Sequence, residues 1–286
     1  MFALNPRVVG AIAGKELRSF LGNPTGYVFL TLFIATSAAA AFLDDGFFSR
    51  NLADLATLNR MMPALLVFFV PAITMNTWSE ERRSGTDELL LTLPVHDGEV
   101  VLGKYLGALI VYTVGLLFSL THIGVLAYLG EPDPGLMFST YLGYWLLGAL
   151  FVAVGMAGSM FASNATVAFI LGALGCSGLV FSGAAPWSSG LVGVLLIAGV
   201  IALLFYVFTG LAQGAGLSAL VGAAGALVLW FAMPEQFPGV FAGLSAPEHF
   251  ASFGEGMVRL GDVVYFLGGA WATLVLCGLL LGRRHW

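Results

Sequence analysis

Charged side chains are scarce in this sequence. Its 286 residues include only 11 lysines and arginines and 16 aspartates and glutamates, 9% in total, whereas 59% of the residues are apolar. Soluble domains average roughly 25% charged residues, so the composition excludes an ordinary soluble protein. The charge also forms no basic stripe, and the pI of about 5.3 argues against nucleic-acid binding.

Cysteine and other reactive or metal-ligating groups are equally sparse. Cys176 and Cys277, the two cysteines, both fall inside apolar runs, where we expect small packing residues rather than a disulfide or a metal site. The apolar runs contain no paired carboxylates and no cluster of metal-ligand residues. We therefore expect no catalytic residue, no metal and no cofactor in this chain.

Long apolar runs are abundant. A bilayer core about 30 Å thick requires about 20 apolar helical residues to cross it, and barrel strands would alternate apolar with polar residues, which these runs do not. The sequence thus predicts an all-α polytopic membrane protein, with residues 1–286 forming one domain of about eight spans. The predicted spans are 26–43, 61–79, 102–129, 136–162, 165–184, 190–209, 215–232 and 263–281.

The segments between the spans indicate the orientation. Residues 6–22 predict an amphipathic helix along the membrane surface, 80–101 form a charged loop, and 233–262 form a second loop. Eight of the 11 lysines and arginines fall on one side if the spans alternate. Because positive residues favour the cytosol, both termini and loop 80–101 are predicted to be cytosolic, and loop 233–262 to be external.

The charged loop is unusual for such an apolar chain. Nine of the 27 charged residues lie between Glu80 and Lys104. Ser84 or Thr86 can cap a short helix over 84–94 that ends before Pro94 and carries a leucine-rich face. That face could rest on the membrane or insert into a groove on a cytosolic partner, and the residues alone leave both open.

One stretch of this loop imitates a nucleotide-binding motif. Gly98 to Lys104 fits the first seven positions of a P-loop, but the eighth position is Tyr105 instead of the Ser or Thr that ligates Mg²⁺. The stretch also enters a span rather than joining a strand to a helix. We therefore expect no nucleotide site here and interpret Lys104 as an anchor in the lipid headgroups.

Several motifs resemble those of a known family. The segments "GKEL", "NPTGYVFL", "EERRSGTDELLLTLPVHDGEVVLGKYLG" and "RLGDVVYFL…GRRHW" are similar to the permease subunits of type-2 ABC exporters. The similarity is greatest to the gliding-motility (GldF-like) branch and extends to the NosY-related copper-maturation branch. It covers residues 6–184 and about 244–286. Such permeases usually have six spans, so the Gly/Ala-rich pair at 190–232 stands out as an additional pair.

The resemblance implies a set of partners and contact residues. It implies a homodimer or heterodimer with a second permease or related membrane subunit, in a bacterial inner membrane, bound to two copies of a cytosolic ABC ATPase that holds ATP and Mg²⁺. Membrane lipids and a periplasmic protein are further expected partners. Residues 6–22 would be the elbow helix and 84–94 the coupling helix. The implied ATPase-contact residues are Glu80, Glu81, Arg82, Arg83, Ser84, Gly85, Thr86, Asp87, Glu88, Leu89, Leu90, Leu91 and Pro94.

Three hypotheses follow. The first is an ABC permease that couples ATP hydrolysis to export, and the second keeps this assembly but transmits force to an external protein. The third is a membrane-embedded enzyme or ion-coupled carrier that uses His122, the one ionisable side chain well inside a predicted span. Intramembrane ionisable residues are candidate functional groups, although a histidine bonded to a neighbouring helix would serve structure alone.

Overall fold

The computed structural model describes residues 5–43, 54–86 and 95–282. Within these ranges the chain is helical with short connections and contains no strand, which confirms the predicted all-α class. The helices are α1 (Pro6–Leu21), α2 (Pro24–Phe42), α3 (Ala56–Thr74), α4 (Asn76–Ser84), α5 (Asp97–Ser119), α6 (Thr121–Leu129), α7 (Pro134–Phe161), α8 (Ala165–Phe181), α9 (Pro186–Thr209), α10 (Ala212–Ala232), α11 (Gln236–Ala242), α12 (Ala246–Gly254) and α13 (Leu260–Gly282).

Six helical segments in the described ranges are long and apolar enough to cross a membrane. A seventh results if α1 and Gly26–Phe42, which are bent by 77° at their break, form one broken span. Helix α8 has only 17 residues, about 25 Å of helix, which is shorter than a bilayer core. The predicted number of eight counted both α2 and α8 as full spans. The six segments are Ala56–Ser84, Asp97–Leu129, Pro134–Phe161, Pro186–Tyr206, Gly214–Ala232 and Leu260–Gly282.

The described chain divides into two compact units. The first runs to Cys176 and resumes at His249, whereas the second comprises Ser177–Glu248. The second unit is built on the α9–α10 hairpin, which turns at Gly210 with a φ of +72°. Its two helices approach closely where Gly190 faces the Trp230 ring, since a Cβ on Gly190 would lie 2.3 Å from that ring.

Helix α7 is the most enclosed candidate span of the first unit, where it packs against α3, α5 and α13. Hydrogen bonds from tyrosine hydroxyls to backbone carbonyls connect α7 to α5. Tyr112 donates to the carbonyl of Tyr144 at 2.7 Å, and Tyr141 donates to that of Ser119 at 2.7 Å. Gly148 makes room for the Tyr112 ring, because a Cβ there would lie 2.1 Å from it. These contacts satisfy polar groups that hydrocarbon could not solvate.

The aromatic face of the short helix α12 packs against α7. Phe253 is fully buried and sits over Gly143, where a Cβ would come within 2.6 Å of it, and Ser139 donates to the Phe253 carbonyl at 2.9 Å. His249 Nδ1 lies 2.7 Å from Asp262 Oδ1 in the first turn of α13. The apolar face of this loop helix is therefore covered by the protein's own spans.

Replacing Gly148 with alanine should destabilise the α5–α7 contact. The added methyl group would overlap the Tyr112 ring, so we expect the free energy of unfolding to fall by about 1–3 kcal/mol. Unfolding in mixed micelles would measure the change. Gly124→Ala is the matched control, because nothing lies within 4 Å of a Cβ there. Equal effects of the two substitutions would contradict the packing described here.

Candidate functional site

The candidate span Ala56–Ser84 is interrupted at Met75 between α3 and α4. Ser159 of α7 contacts the backbone at this interruption. Pro71, one turn earlier, lacks the N–H that would bond the Val67 carbonyl, whereas the Met75 amide still donates to the Pro71 carbonyl at 2.8 Å. Ser159 Oγ donates to the Met75 carbonyl at 3.2 Å and accepts from the amides of Trp78 at 3.0 Å and Ser79 at 3.2 Å. One hydroxyl thus satisfies backbone groups on both sides of the break and fixes where α4 begins.

Lys104, on α5, is buried at the same end of the unit, with 1% of its side chain exposed. Its ammonium donates to Glu16 Oε1 at 2.9 Å and to the Thr77 carbonyl at 2.7 Å, and it lies 2.9 Å from Glu81 Oε1. Its nitrogen also sits 4.8 Å from the centre of the Trp78 ring. Three acceptors match the three N–H groups of a lysine. The predicted headgroup anchor was therefore wrong: Lys104 joins helices instead of reaching lipid.

Lys15 completes a group that we call the four-charge cluster: Lys15 and Glu16 on α1, Glu81 on α4 and Lys104 on α5. The Lys15 ammonium donates to Glu81 Oε1 at 2.7 Å. Burial lowers the pKa of Lys15, but the hydrogen bond and charge of Glu81 outweigh it, so that this pKa is raised. Two ammonium and two carboxylate groups balance each other and tie three helices together.

Two glycines on α5 bring α1 close enough for these ion pairs. A Cβ on Gly103 would lie 2.7 Å from Ile12 Cβ, and one on Gly107 would lie 2.6 Å from Glu16 Cβ. Their four-residue spacing puts both on one face of α5, the small-x3-small arrangement that admits close helix contacts. The apolar side of α1 is therefore used at least partly for packing within the chain.

Glu99 secures the starts of the same two helices. Its carboxylate accepts from the Asn5 amide at 2.7 Å and from the His96 amide at 3.0 Å. Asp97 is the first residue of α5, and His96 precedes it as the N-cap residue. The P-loop-like stretch is helical throughout, so its amides serve the helix and form no phosphate-binding loop.

The predicted ATPase-contact residues divide into two groups. Glu80 to Ser84 belong to α4, which forms the end of the candidate span Ala56–Ser84. Gly85 ends this helix with a φ of +68°. Ser84 donates to the Glu80 carbonyl at 2.9 Å in the last turn of α4, and the helix that it was predicted to cap lies outside the described residues. Thr86 is the last described residue before the gap. Outside the described residues lie Asp87, Glu88, Leu89, Leu90, Leu91 and Pro94.

The α4 residues differ in what they contact. Arg82 donates to the Met160 carbonyl at the end of α7. Arg83 and Glu80 pair at 2.8 Å, but their side chains are 67% and 50% exposed, and such surface pairs contribute little stability. Glu81 and Arg82 therefore attach α4 to its neighbours, while Glu80 and Arg83 face outward.

His122 lies in α6 and is 2% exposed. Neither ring nitrogen has a hydrogen-bond partner among the described residues, and its ring centre lies 5.9 Å from that of Phe42. Among the described residues, the geometry therefore shows no hydrogen bond from this histidine to a neighbouring helix. Across the same described residues, no three histidine, cysteine or acidic side chains gather as a metal site.

The described helices long enough to cross a membrane define a polytopic membrane protein, and a comparison with known families gives its class. Residues 53–209, more than half of the chain, match the family described as ABC-2 family transporter protein. The chain belongs to this family, whose members are the membrane components of ABC transporters and are not themselves catalytic.

A curated relative gives a more particular comparison. The chain is 31% identical over 169 residues to the probable ABC transporter permease protein NosY of Pseudomonas aeruginosa. The alignment covers 55% of this chain and 61% of that relative, so it spans about three fifths of the relative's length.

Sequence reasoning missed two central side chains. Ser159 was treated as part of an apolar span, although serine hydroxyls inside membrane helices often bond to polar groups of a neighbouring helix. Glu16 was placed on a lipid-facing surface helix. The opposite charge of Lys104 beside Gly103 and Gly107 could have indicated its partner.

Removing the buried cation should be costly. Lys104→Met leaves Glu16 and Glu81 without their shared donor, and we expect the free energy of unfolding to fall by about 2–4 kcal/mol, because both partners are partly exposed. Arg83→Gln, which opens an exposed pair, should cost less than about 1 kcal/mol. Thermal unfolding of the purified variants would compare them.

A second substitution separates charge from packing. Adding Glu16→Gln to Lys104→Met should restore part of the lost stability, since it removes the carboxylate that loses its ammonium partner, whereas Glu81 keeps its hydrogen bond from Lys15. A Lys104→Met variant as stable as Arg83→Gln would contradict the role given to the cluster.

Proposed function

We propose that this chain is the membrane-spanning permease subunit that couples ATP hydrolysis by a separate cytosolic ATPase to export or to mechanical work across the membrane. The observation that carries the proposal is the attachment of α4. This helix leads from a membrane span directly to residues 85–96, which contain the predicted coupling helix, and polar contacts fix it to α1, α5 and α7.

The attachments suggest how a docked partner would act. An ATPase that binds the loop and changes shape would displace α4. Because Glu81 contacts Lys15 and Lys104, α1 and α5 would move with it, and Ser159 would pass the displacement to α7. Such coupling requires that the ATP-bound partner fits a different arrangement of helices than the free one.

The first unit favours work by helix movement over a polar path through a single subunit. Hydroxyl groups along α5 and α7 donate to carbonyls of the facing helix, as Tyr105 does to Ala149 at 3.1 Å. Groups used in this way do not line a hydrophilic channel. Force transmission to an external protein, or export along a path shared with a second subunit, both agree with this arrangement.

The finer assignments belong to the same proposal. They comprise two ATPase copies holding ATP and Mg²⁺, a second permease or related membrane subunit, a bacterial inner-membrane location with cytosolic termini, and membership of the gliding-motility branch. The motifs at 80–95 support them, as does the likeness to a protein named a probable ABC transporter permease.

The ATPase contact can be tested by co-purification. The tagged chain extracted from its native membranes should retain an ATPase subunit that mass spectrometry identifies. Leu90→Asp with Leu91→Asp should release this subunit, because the substitutions would place charges on the apolar face predicted to dock.

The control must place an acidic side chain elsewhere on the predicted cytosolic side, and it is compared with Leu90→Asp alone, which introduces the same single charge. Leu211, 62% exposed between α9 and α10, provides it, and Leu211→Asp should retain the ATPase. Failure of the native chain to retain an ATPase, or its persistence in the double variant, would contradict the proposal.

The carrier hypothesis makes a different prediction for His122. If the chain is an ABC permease, His122→Phe should leave the ATPase activity of the complex within about twofold and should not lower stability, since it removes two unpaired polar atoms. A folded variant that has lost activity would favour a proton- or ion-coupled carrier instead. Reconstituted vesicles with and without a proton gradient would separate the two cases.

A further inference from the structure

One side of helix α1 faces away from the rest of the protein. Arg7, Gly10 and Arg18 are exposed there, and Gly14 lies between them on the same side of the helix. A Cβ added to either glycine would have no neighbouring atom within 4 Å. The opposite side of α1 is the one that packs against α5. We call these four outward residues the arginine face of α1.

The charge of the arginine face is not balanced within the described part of the chain, where neither of its arginines forms an ion pair. The nearby charges are accounted for elsewhere. In the four-charge cluster two carboxylates offset two ammonium groups, and Glu80 pairs with Arg83. The buried Glu99 carboxylate accepts from the amides of Asn5 and His96, at the positive ends of α1 and α5. The arginine face therefore presents two positive charges and no negative one to its surroundings.

The position of α1 brings this face to the level of lipid headgroups. The helix is bent by 77° from Gly26–Phe42, the apolar helix that follows it, so that a crossing of the bilayer by the second helix leaves α1 close to the membrane plane. Tyr27 and Val28, where the apolar helix begins, are more than half exposed, as residues that face lipid are. Leu17 and Leu21 lie on the side of α1 next to the arginines. A cationic strip beside an apolar strip is typical of a helix at the boundary between lipid and water.

We propose that the arginine face binds the phosphate groups of anionic phospholipids in the membrane leaflet next to α1. A guanidinium group can donate two parallel N–H groups to one phosphate, and the two glycines leave room for headgroups between the arginines. Arg7 and Arg18 are about 16 Å apart along the helix axis, which is too far for one phosphate to contact both. A membrane surface offers several phosphates side by side, whereas a single soluble anion does not.

The sign of the charge selects the class of lipid. A zwitterionic headgroup brings its own cation to a face that has no acid to receive it, whereas an anionic headgroup brings only negative charge. Each arginine near an anionic surface should contribute about a fivefold preference. Binding would hold α1 at the membrane and, through the ion pair of Glu16 with Lys104, would hold α5 with it. This inference needs only the membrane location of the chain and is independent of the ATPase proposal.

Native mass spectrometry of the detergent-purified protein, with whatever subunits remain bound, would test the proposal. Phosphatidylglycerol, which is anionic, and phosphatidylcholine, which is zwitterionic, serve as probes with identical acyl chains. We expect phosphatidylglycerol to bind about 25-fold more tightly, from fivefold for each arginine. This preference should shrink as the salt concentration rises, because exposed charges are screened.

Substitution of the arginines addresses the charge directly. Arg7→Gln together with Arg18→Gln should remove the preference for phosphatidylglycerol, and each single substitution should lower it about fivefold. Both residues are exposed, so the variants should fold normally. Arg83→Gln is the matched control for a single substitution, because it removes an exposed charge that Glu80 already pairs with, and it should bind lipid like the native protein.

A second pair of variants leaves the arginines in place. Gly14→Glu puts a carboxylate one turn from Arg18 on the same face and should lower the preference about fivefold. Gly14→Gln adds a neutral side chain of the same size and should leave the preference unchanged. The open space around Gly14 accommodates both side chains.

Several results would overturn the proposal. They are equal binding of both lipids, an unchanged preference in the double arginine variant, and equal effects of the two Gly14 substitutions. Displacement of the lipid by an equal concentration of inorganic phosphate would assign the face to a soluble anion instead. Loss of a co-purified protein from the double variant, with lipid binding unchanged, would assign the face to a protein partner instead. Because the readout is lipid mass, the absence of an ATPase would not imitate a loss of lipid binding.

Discussion

The buried ammonium of Lys104 constrains the whole charged end of the first unit. An ammonium taken out of water is stable only when its N–H groups have acceptors, and here the acceptors come from Glu16, Thr77 and Glu81 on two other helices. The positions of α1, α4 and α5 are thus mutually dependent. The glycine face of α5 and the bridge from Ser159 both serve to keep these helices within reach of one another.

In the proposed coupling, this dependence would let α4 move its neighbours. Packing among apolar side chains in lipid is weakly directional, since the hydrocarbon tails are as apolar as the residues they replace. Ion pairs and hydrogen bonds to backbone amides are directional. At this end of the unit they connect α4 to α1, α5 and α7. A displacement that kept these contacts would carry α1 and α5 along, whereas one that broke them would expose unpaired charges.

Composition and apolar run length were enough to predict the all-α polytopic class, and the motifs around 80–95 were enough to indicate the family. The number of spans stays a prediction: among the described residues six or seven helical segments qualify by length and composition, and the 17-residue α8 lies at the short end of what can cross a bilayer. The burial of Lys104 could not be read from its own neighbourhood. It depends on Glu16, 88 residues earlier, and pairing over that distance is decided by which helices pack together.

The concentration of charge in one loop has two separate physical reasons. Glu81 and Lys104 are buried and act between helices, so they belong to the architecture of the span ends. Glu80 and Arg83 are half or more exposed and attach to little within the chain, which leaves them available to the aqueous side. The proposed coupling needs both kinds of charge. The buried charges would pass a displacement of α4 to its neighbours, and the exposed charges could contact a partner protein or a lipid headgroup. The same four-residue stretch of α4, Glu80 to Arg83, therefore serves the interior on one face and the exterior on the other.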